Sequence, residues 1–216
     1  MKKGFVFDLD GVITDTAKYH YLAWKDLADS IGIEIDLKFN EQLKGIDRMT
    51  SLERILEHGN KADAYTTEEK ETLAVQKNTH YVELLQDLTP ADLLPGVKEF
   101  LEEAKAQNIP CAIASASKNA PFILEKLGVI GDFAAIVDPA TLTKGKPDPE
   151  IFIRAAQAIG LTPEEAIGFE DAQAGLDGIK AANMYAVGVF SGEELHGADL
   201  IVKQLTDVSV TELIQK

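Results

Sequence analysis

An α/β fold is predicted, a Rossmann-like parallel sheet core with an inserted helical cap domain, and three features of the 216-residue chain predict it. The apolar run Phe5-Val6-Phe7 breaks into the acids Asp8 and Asp10 and a turn-forming Gly11, as a buried strand does on reaching a sheet edge. From residue 15 to 90 helical periodicity prevails, without strand-like alternation. Beyond Thr89-Pro90-Ala91-Asp92, short β-rich runs alternate with helical stretches, the pattern of a parallel sheet wrapped by helices.

Within the helical stretch, Asp15 is suited to cap a helix running to about Gly32, with Tyr19, Leu22, Ala23, Trp24 and Leu27 along it. Residues 48–58 read as a helix stopped by Gly59, and residues 67–86 as a longer one. Strands are then expected at 111–115, 133–137, 166–169 and 185–189, and helices at 97–107, 121–127, 150–159 and 175–182. The first strand therefore belongs to a core made of residues 1–14 and 92–216, and residues 15–91 form the helical cap. Two linkers join them, as expected of a lid hinged on two strands above the Asp8 and Asp10 pair.

Twenty-one basic against thirty-six acidic residues give a net charge of -15, which disfavours nucleic acid and anionic membranes as partners. The single cysteine, Cys111, lies in an apolar stretch, so no intrachain disulfide forms and a reducing cytoplasm is the expected compartment. Too few apolar residues precede Asp8 for a signal sequence, and no run of eighteen apolar residues occurs. A monomer is expected, because no heptad pattern or long apolar edge is visible. Nucleotide-cradling glycine loops are absent, and His20, His58, His80 and His196 lack metal-ligand spacing.

Ligands of open α/β sheets bind at the carboxyl ends of strands, and four such ends carry polar residues here. Asp8 and Asp10, two apart on a strand, are expected to share a face, one as nucleophile and one as acid/base. Ser115, followed by Ala116-Ser117-Lys118-Asn119 opening a helix, suits a phosphate. Lys146, in the proline-stiffened Lys144-Gly145-Lys146-Pro147-Asp148-Pro149, can hold an ammonium against a phosphoryl oxygen or the nucleophilic carboxylate. Glu170 and Asp171, with Asp8 and the Asp10 carbonyl, would complete an all-oxygen Mg²⁺ site. Each piece alone also reads as a helix cap, a loop acid or a solvated charge; the four together point to phosphate chemistry.

These motifs, Asp8-Leu-Asp10-Gly-Val, Ser115, Lys146 and Gly-Phe-Glu170-Asp171, resemble those of the haloacid dehalogenase-like phosphotransferase superfamily along the whole chain. The resemblance implies that Asp8 is phosphorylated, that Asp10 is the general acid/base, and that Mg²⁺ joins the carboxylates to the phosphoryl group. Dehalogenases lack the second Asp and the metal, so Asp10 argues for phosphoryl transfer.

The cap should decide the substrate. Thr16, His20 and Trp24 fall at i, i+4 and i+8 on one helix face, and Lys44-Gly45-Ile46-Asp47-Arg48 with Ser51 sets two cations and a hydroxyl near a turn. On the residues alone, packing for His20 and Trp24 and a solvated face for Lys44 and Arg48 are the simpler readings. The stretches from Gly11 to His20, Phe39 to Gly45 and Ser115 to Asn119 are, however, similar to the glucose-phosphate mutases of the superfamily. That resemblance implies that Arg48 grips the distal phosphate of a sugar phosphate, with Lys118 and Asn119 orienting it and Lys77 at the rim. It further implies a ping-pong exchange of β-D-glucose 1-phosphate and D-glucose 6-phosphate, with β-glucose 1,6-bisphosphate as intermediate and activator and His20 coupling closure to binding. Asp47 stands where those mutases usually carry Ser, and either weakens the remote site or points away. A phosphatase with the same core and a non-catalytic receiver-like phospho-acceptor are the alternatives.

Overall fold

The computed structural model describes residues 1–190, 192 and 194–216. In chain order its first elements are β1 (Gly4–Phe7), α1 (Ala17–Ser30), α2 (Leu37–Glu41), α3 (Arg48–His58) and α4 (Thr67–Leu84). They are followed by α5 (Val97–Ala106), β2 (Cys111–Ile113), α6 (Ala120–Lys126), β3 (Ala135–Ile136), α7 (Glu150–Ala158) and β4 (Ala166–Glu170). The chain ends with α8 (Gln173–Ala181), β5 (Tyr185–Val189), β6 (Leu200–Val202) and α9 (Val210–Leu213). Two compact units result, one of Met1–Asp15 with Leu88–Lys216 and one of Thr16–Asp87.

In the first unit a six-stranded sheet runs in the order β3-β2-β1-β4-β5-β6, with every neighbouring pair parallel. The winding reverses at β1, which pairs β2 on one side and β4 on the other. Phe7 is level with Ile113 and Phe169, so the residues that follow in all three strands emerge side by side at this switch point. Phe5 and Phe7 pack on Phe100 of α5 and on Phe169, whose ring stacks on Phe7 at 4.6 Å between centroids. Val6 points to the opposite face, into Ala112, Ile151, Phe152, Ala155, Leu176 and Ile179. Full burial of each such side chain contributes about 1.5–3 kcal/mol, which holds the polar strand ends on a rigid base.

The second unit is helical, with Trp24, Leu27, Ala28, Ile33, Ile35, Leu43, Leu52, Ile55, Leu56 and Ala74 as its core. Thr66 and Glu69 form a reciprocal capping box that starts α4. Among the described residues no helix is long and apolar enough to cross a membrane.

Three local expectations are corrected. The N-cap position of α1 falls on Thr16 and not on Asp15; the Thr16 side chain makes no cap bond, and its Oγ1 lies 2.9 Å from Tyr81 Oη. The strand end does not carry Asp8 and Asp10 in strand spacing, since β1 stops at Phe7. Beyond it Val12, Ile13 and Thr14 all donate to the Leu9 carbonyl, and this tight turn, with Gly11 at φ +76°, directs the second acid. The short α2 and β6 were not anticipated, for five and three residues carry too little periodicity to read.

Candidate active site

The sheet's switch point gathers a buried charged cluster. Lys146 Nζ donates to Asp8 Oδ1 at 2.7 Å and to Glu170 Oε1 at 3.0 Å, and all three side chains are almost wholly shielded from water. Burial disfavours the Lys146 ammonium, but Asp8 and Glu170 outweigh it and hold its pKa above the ordinary lysine value. Burial, then the Asp8 charge, pushes Glu170 well above the usual carboxylate range, while Lys146 opposes the shift. One ammonium thus does not fully compensate the carboxylates gathered here.

Asp8, Glu170 and Asp171 each offer a carboxylate oxygen within 4.8 Å of the other two. This hard, all-oxygen donor set fits a divalent cation such as Mg²⁺. Two glycines make room for it. A Cβ on Gly11 would lie 2.0 Å from Asp171 Oδ2, and one on Gly175 would lie 1.6 Å from Glu170 Oε1. Asp10's carboxylate is not a member of this cluster among the described residues.

At the end of β2, Ser115 is buried and its Oγ accepts from Ser117 N at 3.1 Å; Ser117 Oγ in turn accepts from Asn119 N at 3.2 Å. These bonds fold the Ser115–Asn119 loop while each hydroxyl keeps its own proton to donate. Ala116 and Asn119 are half-buried and Lys118 is exposed. The loop precedes a helix of only seven residues, so hydroxyls and loop amides, not a helix terminus, are its means of holding an anion.

In the helical unit, Thr16, His20 and Trp24 do share a face, and it packs on α4. The His20 ring stacks on Tyr81 at 4.0 Å, and Lys77 Nζ lies 4.7 Å from the Trp24 ring centroid and 4.5 Å from that of Tyr81. Lys77 is only 2% exposed, so it is not a rim residue: aromatic faces and a 2.8 Å bond to His20 Nδ1 draw it inward. An ammonium has no acceptor, so Nδ1 accepts and the ring proton sits on Nε2. Arg48 Nη2 donates to Asn78 Oδ1 at 2.7 Å. Lys44 pairs with Glu41 at 2.6 Å, and Gly45 takes a φ of +71° in the turn that follows. Ser51, buried, donates to the Asp47 carbonyl.

Asp47 has its own task. Its Oδ1 accepts from Met49 N and Thr50 N, and Oδ2 from the Thr50 hydroxyl, so it caps α3 beside Arg48. Asp47→Ala is expected to cost about 1 kcal/mol, read as a lower denaturation midpoint, whereas Asp47→Ser should retain most of it.

Burial, then the charges of Lys77 and Arg48, holds His20 well below the ordinary histidine value of 6.5. The folded state therefore refuses a proton that the unfolded state accepts below pH 6.5. Stability from this group is complete above that pH and is lost as pH falls, with a slope approaching about 1.4 kcal/mol per pH unit. Denaturation midpoints at pH 7.5 and 5.5 should fall further for the wild-type protein than for His20→Gln; equal losses would refute this.

Sequence reasoning missed Tyr81, Asn78 and Gly175. Ala74, Lys77 and Tyr81 form the buried face of α4, and a lysine in that apolar series was the readable sign of a polar centre. Gly175 looked like a helix residue, since only the folded chain brings the Glu170 carboxylate against it.

A model of haloacid dehalogenase-like hydrolases matches residues 2–183. A β-phosphoglucomutase of Bacillus subtilis is 51% identical over 208 residues, 96% of this chain and 92% of that protein. A fructose-1-phosphate phosphatase of Escherichia coli is 30% identical over 190 residues, 86% of this chain and 95% of that one. The crystal structure of a β-phosphoglucomutase from Clostridium difficile superposes with a TM-score of 0.96 at 47% identity, covering 100% of this chain and 96% of that one. With its parallel sheet, its carboxylates at the switch point and its buried lysine, the chain belongs to the haloacid dehalogenase-like hydrolase family.

Proposed function

We propose that the protein is a β-phosphoglucomutase that interconverts β-D-glucose 1-phosphate and D-glucose 6-phosphate. The observation that carries phosphoryl transfer is the shielded Lys146 ammonium bridging Asp8 and Glu170. A carboxylate attacking a phosphoryl group meets anion repulsion, and a buried ammonium held on the nucleophile offsets it at the point of attack. The 51% identity to a mutase, and a second cation at Arg48, favour a sugar acceptor over water.

Asp8 attacks the phosphorus of β-glucose 1,6-bisphosphate, the intermediate and activator, forming phospho-Asp8 and breaking the bond to the sugar oxygen. Asp10 protonates that departing oxygen. In the reverse half-reaction it takes the proton from the incoming hydroxyl as phospho-Asp8 is discharged. Asp8, Glu170 and Asp171, with the Asp10 carbonyl, hold Mg²⁺, which when bound supplies positive charge to the transferring group. Ser115 and Ser117 donate to its non-bridging oxygens, and Ala116, Lys118 and Asn119 line the same loop. Arg48 binds the other phosphate of the sugar, with Lys44, Gly45 and Ser51 near it. Thr16, His20, Trp24 and Lys77 form a packed polar centre in the helical unit, 16–87, proposed as the cap that closes on substrate.

A sugar-phosphate phosphatase is the second reading, favoured by the 30% identity to the E. coli enzyme. The receiver-like reading falls with the family assignment. A ³¹P NMR time course with Mg²⁺ and β-glucose 1-phosphate, primed by a trace of bisphosphate, tests the choice. Glucose 6-phosphate should accumulate with inorganic phosphate limited to the primer; phosphate rising in proportion to substrate means a phosphatase.

A further inference from the structure

We propose that Asn78 is the positioning residue for Arg48 at the remote phosphate, and that its being an amide keeps the guanidinium's charge available to the substrate. The proposal rests on the mutase reading above. Arg48 opens α3 and Asn78 lies inside α4, so the 2.7 Å bond from Nη2 to Oδ1 ties the guanidinium to a second helix. Both helices are firmly set at that point. Asp47 caps the first turn of α3, and next to Asn78 the Lys77 side chain is packed between Trp24 and Tyr81.

Arginine carries about 2 kcal/mol of rotamer entropy, and binding an anion through a free side chain would cost much of it. One bond from Asn78 fixes the plane of the fork in advance and uses a small part of its five N–H donors. Hydrogen bonding alone does not explain the choice of residue. An aspartate is isosteric with asparagine and would accept the same bond more strongly, because the pair would be charge-assisted. It would also neutralise the guanidinium and compete with the incoming dianion. A neutral partner orients without competing, which matters only if the charge is to be used by a group from outside.

The test compares wild-type protein with Asn78→Asp and Asn78→Ala, each also in an Arg48→Ala background. KM and kcat are measured for Mg²⁺-dependent, bisphosphate-primed conversion of β-glucose 1-phosphate. Phosphorylation of Asp8 by acetyl phosphate, a donor with no second phosphate, and thermal midpoints are measured in parallel. Asn78→Asp should raise KM about tenfold or more with a smaller change in kcat, the loss expected when a charged hydrogen-bonding group is cancelled. Asn78→Ala, which leaves the charge but frees the side chain, should raise KM less. Acetyl phosphate reactivity and midpoints should stay near wild type, and Asn78→Asp should add nothing once Arg48 is gone. An unchanged KM in Asn78→Asp overturns the proposal, as does a parallel fall of KM performance, acetyl phosphate reactivity and midpoint, or an effect that persists without Arg48. Failure of the wild-type protein to convert sugar phosphate overturns the mutase reading and the proposal with it.

Discussion

Asp8→Ala is expected to abolish phosphoenzyme formation and to lower turnover of β-glucose 1-phosphate by at least about four orders of magnitude, as loss of a nucleophile does elsewhere. The fold should survive, because Lys146 keeps Glu170 at 3.0 Å as its counter-ion and the site loses a negative charge where carboxylates are in excess. Intact-mass spectrometry after acetyl phosphate treatment, beside a coupled assay for glucose 6-phosphate, reads both effects. A phosphorylated variant, or one with residual mutase turnover above about one part in a thousand, would place the nucleophile elsewhere.

Lys146→Met should have the largest effect on stability. The methionine matches the lysine stem but leaves Asp8 and Glu170 buried without the ammonium that both now contact. Breaking a buried pair by removing one partner costs about 3–5 kcal/mol, since the remaining charge is neither hydrated nor paired. Urea denaturation in EDTA should show that loss. Added Mg²⁺ should recover part of it in the variant, through mass action on the folded state, if the Asp8, Glu170 and Asp171 oxygens hold the cation. Phosphoryl transfer should remain impaired by about 10²–10³-fold even with Mg²⁺, because the charge on the nucleophile's side is gone. A midpoint in EDTA within about 0.5 kcal/mol of wild type would mean that Asp8 and Glu170 are hydrated in solution and that the ammonium is not their main support.

Much of this site lies in short stretches of chain whose local chemistry is self-evident. Phe5-Val6-Phe7 ending in Asp8, a serine after Cys111-Ala-Ile-Ala, and Glu170-Asp171 after a buried apolar run are each readable because strand, end and polar residue are contiguous. Alternation of such runs with amphipathic helices is enough to imply a parallel sheet, and the strand ends of a parallel sheet imply where ligands bind. The strand at 185–189 matches its expected bounds, because five apolar or small residues are bounded by turn signals on each side. The one at 133–137 shrinks to Ala135–Ile136, although Ala134 N and Val137 N still donate to the Cys111 and Ile113 carbonyls of β2 and the Phe133 ring packs on Phe7.

The helical unit was less legible. Lys77 reads as a rim charge on α4 until Trp24, Tyr81 and His20 are brought against it, and for Asp47 the choice between weakening the Arg48 site and pointing away stays open until its carboxylate is seen on the amides of Met49 and Thr50. The misreading and the open choice share a cause. Periodicity reports which face of a helix is buried, but not which side chain of a second helix meets it, and a charged side chain changes meaning with that partner.

By itself the sequence therefore made the parallel core legible and singled out Asp8, Asp10, Glu170 and Asp171 just past apolar strands, and Lys146 in a proline-stiffened loop, as candidates for the site, since each stands out by residue type in its local stretch. Tertiary structure alone decided that Lys146 bridges Asp8 and Glu170, that Gly11 and Gly175 are the residues leaving room for carboxylates, and that Asn78 receives Arg48. Four of these five contacts join residues 24 to 160 apart in the chain, the arginine and Asn78 being 30 apart, whereas Gly175 and Glu170 are five apart. No local propensity encodes the four longer pairs; they exist only after burial of the two hydrophobic cores has brought distant segments together.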